Sequence, residues 1–260
     1  MNHKGICKHL AANDDEYIFL SAVCDKMLAC HRQNRMTATK FLDTRTLFLT
    51  KQLLENMGCD DYRFEGGVAE AERVVCVFLP DYPVEEDVVK LVRVQKAEQD
   101  TLTHRDYLGS LMGLGIKREC IGDILVHGLG ADIAVLAEFA DFIMQELSQV
   151  GRKSVSTELI QKEDVIQSTD DFQIIKITVP SLRMDAVAGG IFKLSRSNSA
   201  GAIRQGKLLH NGAEVQKAEK SVNVGDKITL RGKGKAEILQ ITGKTKKDRI
   251  GLEVKVLGKR

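Results

Sequence analysis

The chain of 260 residues has no Cys-x-x-Cys pair, no apolar run of bilayer-spanning length, no internal repeat and no low-complexity segment. Each absence removes a class of protein. Six cysteines (Cys7, Cys24, Cys30, Cys59, Cys76, Cys120) are spread over residues 1–180, and residues 181–260 contain none. A disulfide framework needs denser cysteines in a smaller secreted chain, so free buried thiols are expected. His3, Cys7, His9, Cys30 and His31 fit no standard zinc spacing, and no metal or other cofactor is expected. Apolar runs such as residues 74–79 fall far short of the ~20 residues a membrane helix needs. The start, Met1-Asn2-His3-Lys4-Gly5, lacks the apolar core of a secretory signal, so a cytoplasmic protein is expected. Gly243-Lys244-Thr245 has the end of a phosphate-binding loop, but the first glycine such a loop requires would stand at Ile238.

What the chain does have is a division of charge. Residues 181–260 carry 18 Lys/Arg against 7 Asp/Glu, a net of +11. Residues 1–180 carry 20 against 29, a net of −9, so the overall +2 is an acidic body plus a basic domain. Such asymmetry is expected of a polyanion-binding module joined to something that is not one. The basic part interleaves its charges with apolar periodicity and turn signals, which a solvated tail would lack. A folded RNA-binding domain is the expectation.

Along the body, residues 1–66 are expected to be a helical region. Asp14 or Asp15 can cap one helix, and Asp43 can cap a second that ends at Gly58. Residues 62–65 and 73–79 are strand-like, and Pro80 and Pro83 end the second of them. Residues 67–170 then give β-α-β-β-α-β, with a helix at 103–112, strands at 121–127 and 133–136, and a helix at 137–150 whose stripe is Phe139, Phe142, Ile143 and Leu147. The expected fold class is α+β, with this middle part ferredoxin-like in the manner of RNA-recognition motifs. Such motifs stack bases on aromatics of their central strands. The runs at 88–94 and 133–136 offer none. Residues 171–180 are expected to be a linking strand broken by Pro180.

In the basic domain Ser181 can cap a helix bearing Met184, Val187, Ala188 and Ile191 at i, i+3, i+4 and i+7. Ser195 can cap a second, shorter helix ending near Gly206, with Arg196 and Arg204 facing the same way. Asn211-Gly212 is the favoured dipeptide of a two-residue hairpin turn. Arg183-Met184-Asp185, Ser195-Arg196, Gly206-Lys207, Asn211-Gly212, Lys217 and Val222-x-x-Gly225-Asp226-x-Ile228 together resemble the RNA-binding domain named after small-subunit ribosomal protein S-four. The resemblance covers roughly residues 181–231. Met184, Ala188, Ser199 and Ala202 depart from the residues usual in that domain. Gly189 and Gly190 weaken the first helix by about 1 kcal/mol each relative to alanine. The resemblance implies an αα-β domain at 181–260, with a C-terminal hairpin extension. Its expected RNA contacts are Arg183, Lys193, Ser195, Arg196, Arg204, Lys207, Asn211, Lys217, Lys220, Arg231 and Lys233. Lys246 and Lys247, in the loop of the last hairpin, are expected to matter less. Asp185, beside Arg183, is expected to be structural.

Residues 103–124, THRDYLGSLMGLGIKRECIGDI, are similar to the middle segment of the bacterial YlmH family. That resemblance covers essentially the whole chain. It implies a cytosolic RNA-binding protein that associates with the large ribosomal subunit, in rescue of stalled translation. A non-enzymatic, monomeric factor that binds ribosomal RNA or tRNA there is the expectation. A link to cell division is implied as well. The enzymatic alternative is an RNA-modifying protein of pseudouridine-synthase type, centred on Asp106 or Asp123. His104-Arg105-Asp106 lacks the residue that separates Arg from Asp in those enzymes, and Thr103 with Asp106 makes a helix start instead. Lys117, Arg118 and Asp123 lie in a glycine-bounded loop that can touch RNA or protein. A protein-binding adaptor is the third reading.

Overall fold

Asn13, not Asp14 or Asp15, opens the longest helix among the described residues: its Oδ1 accepts the Glu16 N–H at 2.9 Å. The two aspartates fall in the first turn, where the helix dipole favours negative charge. The computed structural model describes residues 3–68, 71–166, 172–245 and 248–257, and divides into two compact units, Met1–Thr169 and Asp170–Arg260. Among the described residues no helix is long and apolar enough to cross a membrane.

The first unit starts with α1 (His3–Leu10), α2 (Asp14–Gln33), β1 (Thr37–Ala38), α3 (Thr44–Met57), β2 (Tyr62–Glu65) and β3 (Val75–Phe78). Asp43 Oδ1 accepts the N–H groups of Arg45 and Thr46 and starts α3, and Gly58 at φ 61° ends it. The strands form an antiparallel sheet in the order β1-β3-β2. The N-terminal part is therefore helices on a sheet rather than a helical region, and its last strand lies beyond residue 66. Alternation along β3 gives the reason. Cys76 and Phe78 join the core of Leu20, Leu49 and Leu53 on the helices, while Val75 and Val77 join a second core.

That second core belongs to β4 (Val89–Lys96), α4 (His104–Gly113), β5 (Ile121–His127), β6 (Gly130–Leu136), α5 (Ala137–Glu146), β7 (Gln149–Val150) and β8 (Lys153–Ile160). Their sheet runs β5-β6-β4-β8-β7, antiparallel throughout. α5 stops at Glu146, four residues before the expected end, because Val150 pairs with Lys153 across a tight turn in which Gly151 takes φ 62°. Phe142, expected on the buried stripe, is 42% exposed, and Ala140 takes its place beside Ile143. Thr157 Oγ1 donates to the Met144 carbonyl at 3.1 Å, which puts α5 on the sheet face of Val94, the residue Thr157 pairs with.

The second unit comprises β9 (Phe172–Val179), α6 (Met184–Phe192), α7 (Arg196–Arg204), β10 (Leu208–His210), β11 (Ala213–Glu214), β12 (Lys227–Leu230), β13 (Gly234–Lys244) and β14 (Ile250–Leu257). The sheet order is β11-β10-β12-β13-β14-β9. β9 is thus no linker. It pairs with β14 along its whole length, from Phe172↔Leu257 to Val179↔Ile250, and Val179 joins the core under α6. Gly190 has its explanation here. A Cβ on Gly190 would stand 3.1 Å from Ile177 Cδ1 and 3.2 Å from Val179 Cγ1, so an alanine there would have to push both side chains of β9 aside by a few tenths of an ångström.

Candidate nucleic-acid interface

The α6–α7 pair is built by one local and one distant device. Locally, Ser195 Oγ accepts the Asn198 N–H at 3.2 Å and starts α7. For α6 the expected cap, Ser181, stands too early: the cap position is Arg183. The first helical N–H groups, Met184 and Asp185, donate to the carbonyls of Lys220 and Ala218 at 2.8 and 3.0 Å. A loop more than thirty residues downstream therefore satisfies donors that a capping side chain would otherwise take. Lys193 closes α6 in the left-handed conformation, φ 51°, its N–H on the Gly189 carbonyl. That corner turns the chain from α6 into α7.

Lys193, Arg196, Arg204, Lys207, Lys217, Lys220 and Lys233 are all exposed, and their side chains bond to no described residue. Arg196 and Arg204 are the first and last residues of α7, about 12 Å apart along its axis and about 80° apart around it. Ser195 is exposed and Ser197 shares its hydroxyl contact at 2.9 Å. Arg183 and Arg231 are also exposed but partly neutralised. Arg183 Nε and Nη2 donate to Asp185 Oδ1 and Oδ2 at 3.1 and 3.0 Å, and Arg231 Nη1 reaches Glu214 Oε1 at 3.4 Å and the Gly206 carbonyl at 3.2 Å. Arg183, with the Ala186 N–H, holds the Asp185 carboxyl below its ordinary range. Lys246 and Lys247 lie outside the described residues.

Asn211 does not belong with these cations. It is 7% exposed, its Nδ2 donates to Asp226 Oδ1 at 2.8 Å, and its Oδ1 accepts the Lys227 N–H at 2.8 Å. With φ 49° at Asn211 and 78° at Gly212, the pair forms the two-residue turn between His210 and Ala213. The side chain ties that turn to the start of β12, so the RNA-contact expectation is corrected to a structural one. The Asp226 carboxylate it touches also lies 2.8 Å from His210 Nε2 and accepts the Asn223 N–H at 2.8 Å.

The middle sheet departs from a base-stacking platform in a second way besides its missing aromatics. The face of Leu91 and Ala134, opposite α5, is covered by the N-terminal layer. A Cβ on Gly122 would stand 2.6 Å from the Phe41 ring and 3.0 Å from Ala134, and one on Gly67 would stand 3.2 Å from Leu91. Beyond them on that face Arg93 Nε and Nη2 donate to Asp132 Oδ1 and Oδ2 at 2.7 and 2.9 Å. The Ile166 N–H closes over Asp132 Oδ2 at 2.8 Å. No sequence signal marked this cover, because Phe41 lies some eighty residues from Gly122.

The candidate catalytic carboxylates are engaged in building the same unit. Asp106 Oδ2 accepts from Thr103 Oγ1 and N–H, each at 2.7 Å, and Thr103 thereby holds its carboxyl below the ordinary range. Asp123 accepts the N–H groups of Glu72 at 2.6 Å and Arg73 at 3.2 Å, and burial pushes its carboxyl up. Arg118 is half-buried with Nη1 on the carbonyls of Ile121 and Gly122, whereas Lys117 is exposed. His104 and Arg105 are exposed at the start of α4. Among the described residues no cluster of three or more His, Cys, Asp or Glu could hold a metal, and the six cysteines are free thiols.

Comparison with known proteins sets these features in a family. The family model described as "Putative RNA-binding domain in YlmH" matches residues 83–164. A protein of Bacillus subtilis (strain 168), "Ribosome-associated protein quality control protein P2", is 33% identical over 239 residues, 90% of this chain and 93% of that protein. The chain belongs to the YlmH family. A solved structure, "Cell division protein ylmH from Streptococcus pneumoniae", aligns with 98% of its own chain and 60% of this one, at 22% identity and a TM-score of 0.49. In this YlmH-family protein the residues matched by the family model hold the five-stranded sheet with α4 and α5. The exposed cations of the α6–α7 corner and the loops beside it lie outside that match, in the second unit.

Sequence reasoning missed two residues beside α7, Ser199 and Arg249. Ser199 carried a weak signal, since a serine stood where the resembled domain has a small apolar residue. Arg249 carried none. Its Nε and Nη2 donate to Thr178 Oγ1 and the Thr178 carbonyl at 3.2 and 2.5 Å, a contact that exists only because β14 pairs with β9.

Proposed function

We propose that this protein is a non-enzymatic RNA-binding factor that holds structured ribosomal RNA or tRNA on the large ribosomal subunit during rescue of stalled translation. It works in the cytoplasm as a monomer. The second unit is an S-four-type domain with a hairpin extension, and the middle sheet is a ferredoxin-like scaffold of RNA-recognition-motif shape. The observation that carries this reading is the set of exposed cations on the α6–α7 corner and the loops beside it, most of them bonded to no described residue, in the C-terminal 80 residues with a net charge of +11. Arginine and lysine so placed suit a phosphate backbone, and guanidinium gives it bidentate bonds. The name of the Bacillus subtilis relative supports the ribosomal setting.

The test is the double charge reversal Arg196→Glu with Arg204→Glu, read by co-migration with large subunits on a sucrose gradient. Both side chains are exposed and bond to no described residue, so the fold and the melting temperature should be kept. Co-migration should be lost. An intact double variant that still travels with large subunits refutes the reading.

A further inference from the structure

Two adjoining cavities of about 280 and 220 Å³ open where the end of β9 meets α6 and α7. Arg196 borders both, and Ser199 and Arg249 border the second. We infer that this cleft is a seat for one phosphate of a polynucleotide backbone, with Arg196, Arg249 and Ser199 Oγ as its donors. The inference rests on the RNA-binding reading above and extends it to residues which that reading does not use.

Three observations converge. Ser199 is fully buried, and its Oγ has no hydrogen-bond partner in the free protein. A buried hydroxyl left unpaired destabilises the state that contains it, and an anion in the cleft would relieve that state. Arg249 is held by its Nε and Nη2 on Thr178, while Nη1 bonds to nothing among the described residues. The guanidinium is thus oriented before any ligand arrives. Arg196 is the first residue of α7, at the positive end of that helix's dipole, and its side chain bonds to no described residue.

Charge favours the same occupant. Among the described residues Asp185 is the one carboxylate on the cleft, and Arg183 holds it through two bonds, so that pair is neutral and no other described carboxylate there compensates Arg196 and Arg249. The cleft also opens beside the exposed cations of the α6–α7 corner. A backbone phosphate can therefore enter it while its neighbours along the strand meet Lys193, Arg204 or Lys207. An isolated phosphate would use only the cleft.

The experiment uses the full chain and purified large-subunit ribosomal RNA, with dissociation constants measured over a range of KCl concentrations. Arg249→Gln should weaken binding about threefold to tenfold and make the log–log salt slope shallower by at most about 0.9, the contribution of one phosphate, because Arg196 still meets it. Arg249→Lys, which keeps the charge, should retain the slope. Ser199→Ala should weaken binding about threefold to tenfold with the slope unchanged, and should raise the melting temperature because the unpaired hydroxyl is gone. A purely structural Ser199 would shift the melting temperature with affinity unmoved, which overturns the assignment. Wild-type affinity and slope in both Arg249→Gln and Ser199→Ala overturn the cleft while leaving the broader reading intact. A wild-type chain that binds no RNA overturns that reading and the cleft with it. Inorganic phosphate at constant ionic strength should leave the melting temperature unchanged. A rise seen in wild type and absent in Arg249→Gln means a free-anion site and overturns the backbone assignment.

Discussion

Asn211→Ala separates a structural from an RNA-contacting role most sharply, because the two predict opposite phenotypes. Alanine removes a donor from the buried Asp226 carboxylate, a hydrogen bond to a charged group that contributes about 1.5–3 kcal/mol. It also deprives the Lys227 N–H of its acceptor, at about 1 kcal/mol, the low end because Lys227 is half-exposed and water can reach it. Alanine must further adopt φ 49°, a left-handed conformation that costs about 1 kcal/mol. The total is about 3.5–5 kcal/mol. For a unit of this size it lowers the melting temperature by roughly 14–40 °C. Asn211→Gly loses the same hydrogen bonds but takes the turn conformation without strain, so it should melt about 4–8 °C above the alanine variant. The assay is a thermal melt of each full-length variant, followed by RNA affinity well below the transition, which should stay within about twofold of wild type if Asn211 touches no ligand. An unchanged melt with lost binding would return Asn211 to the RNA surface.

Acid should destabilise the second unit through Asp226. Burial alone would raise that carboxyl, but hydrogen bonds from His210, the Asn223 N–H and Asn211 outweigh it and hold the group below its ordinary range. A lowered folded-state value gives stability that is present above the unfolded value of about 4 and lost as pH falls through the folded one. Asp226→Asn should therefore be less stable at neutral pH and flatter below about pH 4, and a melt profile parallel to wild type would refute this. Gly201→Ala in α7, where an added Cβ meets nothing within 4 Å, should stabilise by about 0.5–1 kcal/mol. Gly190→Ala must push into Ile177 and Val179 and should lower the melting temperature despite the same helical gain, so equal rises in both would refute the packing account. A fragment of residues 170–260 should melt cooperatively and keep RNA binding, while one starting at 181 lacks β9 and should not. If the shorter fragment melts as sharply, β9 is dispensable.

Much of this protein follows from contiguous residues. Asp43, Thr103 and Ser195 start helices because each bonds within three residues of itself. Asn211-Gly212 turns because both residues accept positive φ. The charge division is composition alone, and the order β-α-β-β-α-β follows from apolar periods within each segment. Periodicity says which side of an element is apolar but not what will cover it. Only the tertiary structure brought Phe41 and Gly67 onto the middle sheet, turned a supposed linker into the edge strand β9, and supplied backbone carbonyls in place of a side-chain cap for α6. It also took Asn211 out of the candidate interface and set Arg249 beside Ser199. Each of these depends on a partner far away in the chain, chosen by which surfaces fit closely, and no window of neighbouring residues contains that choice.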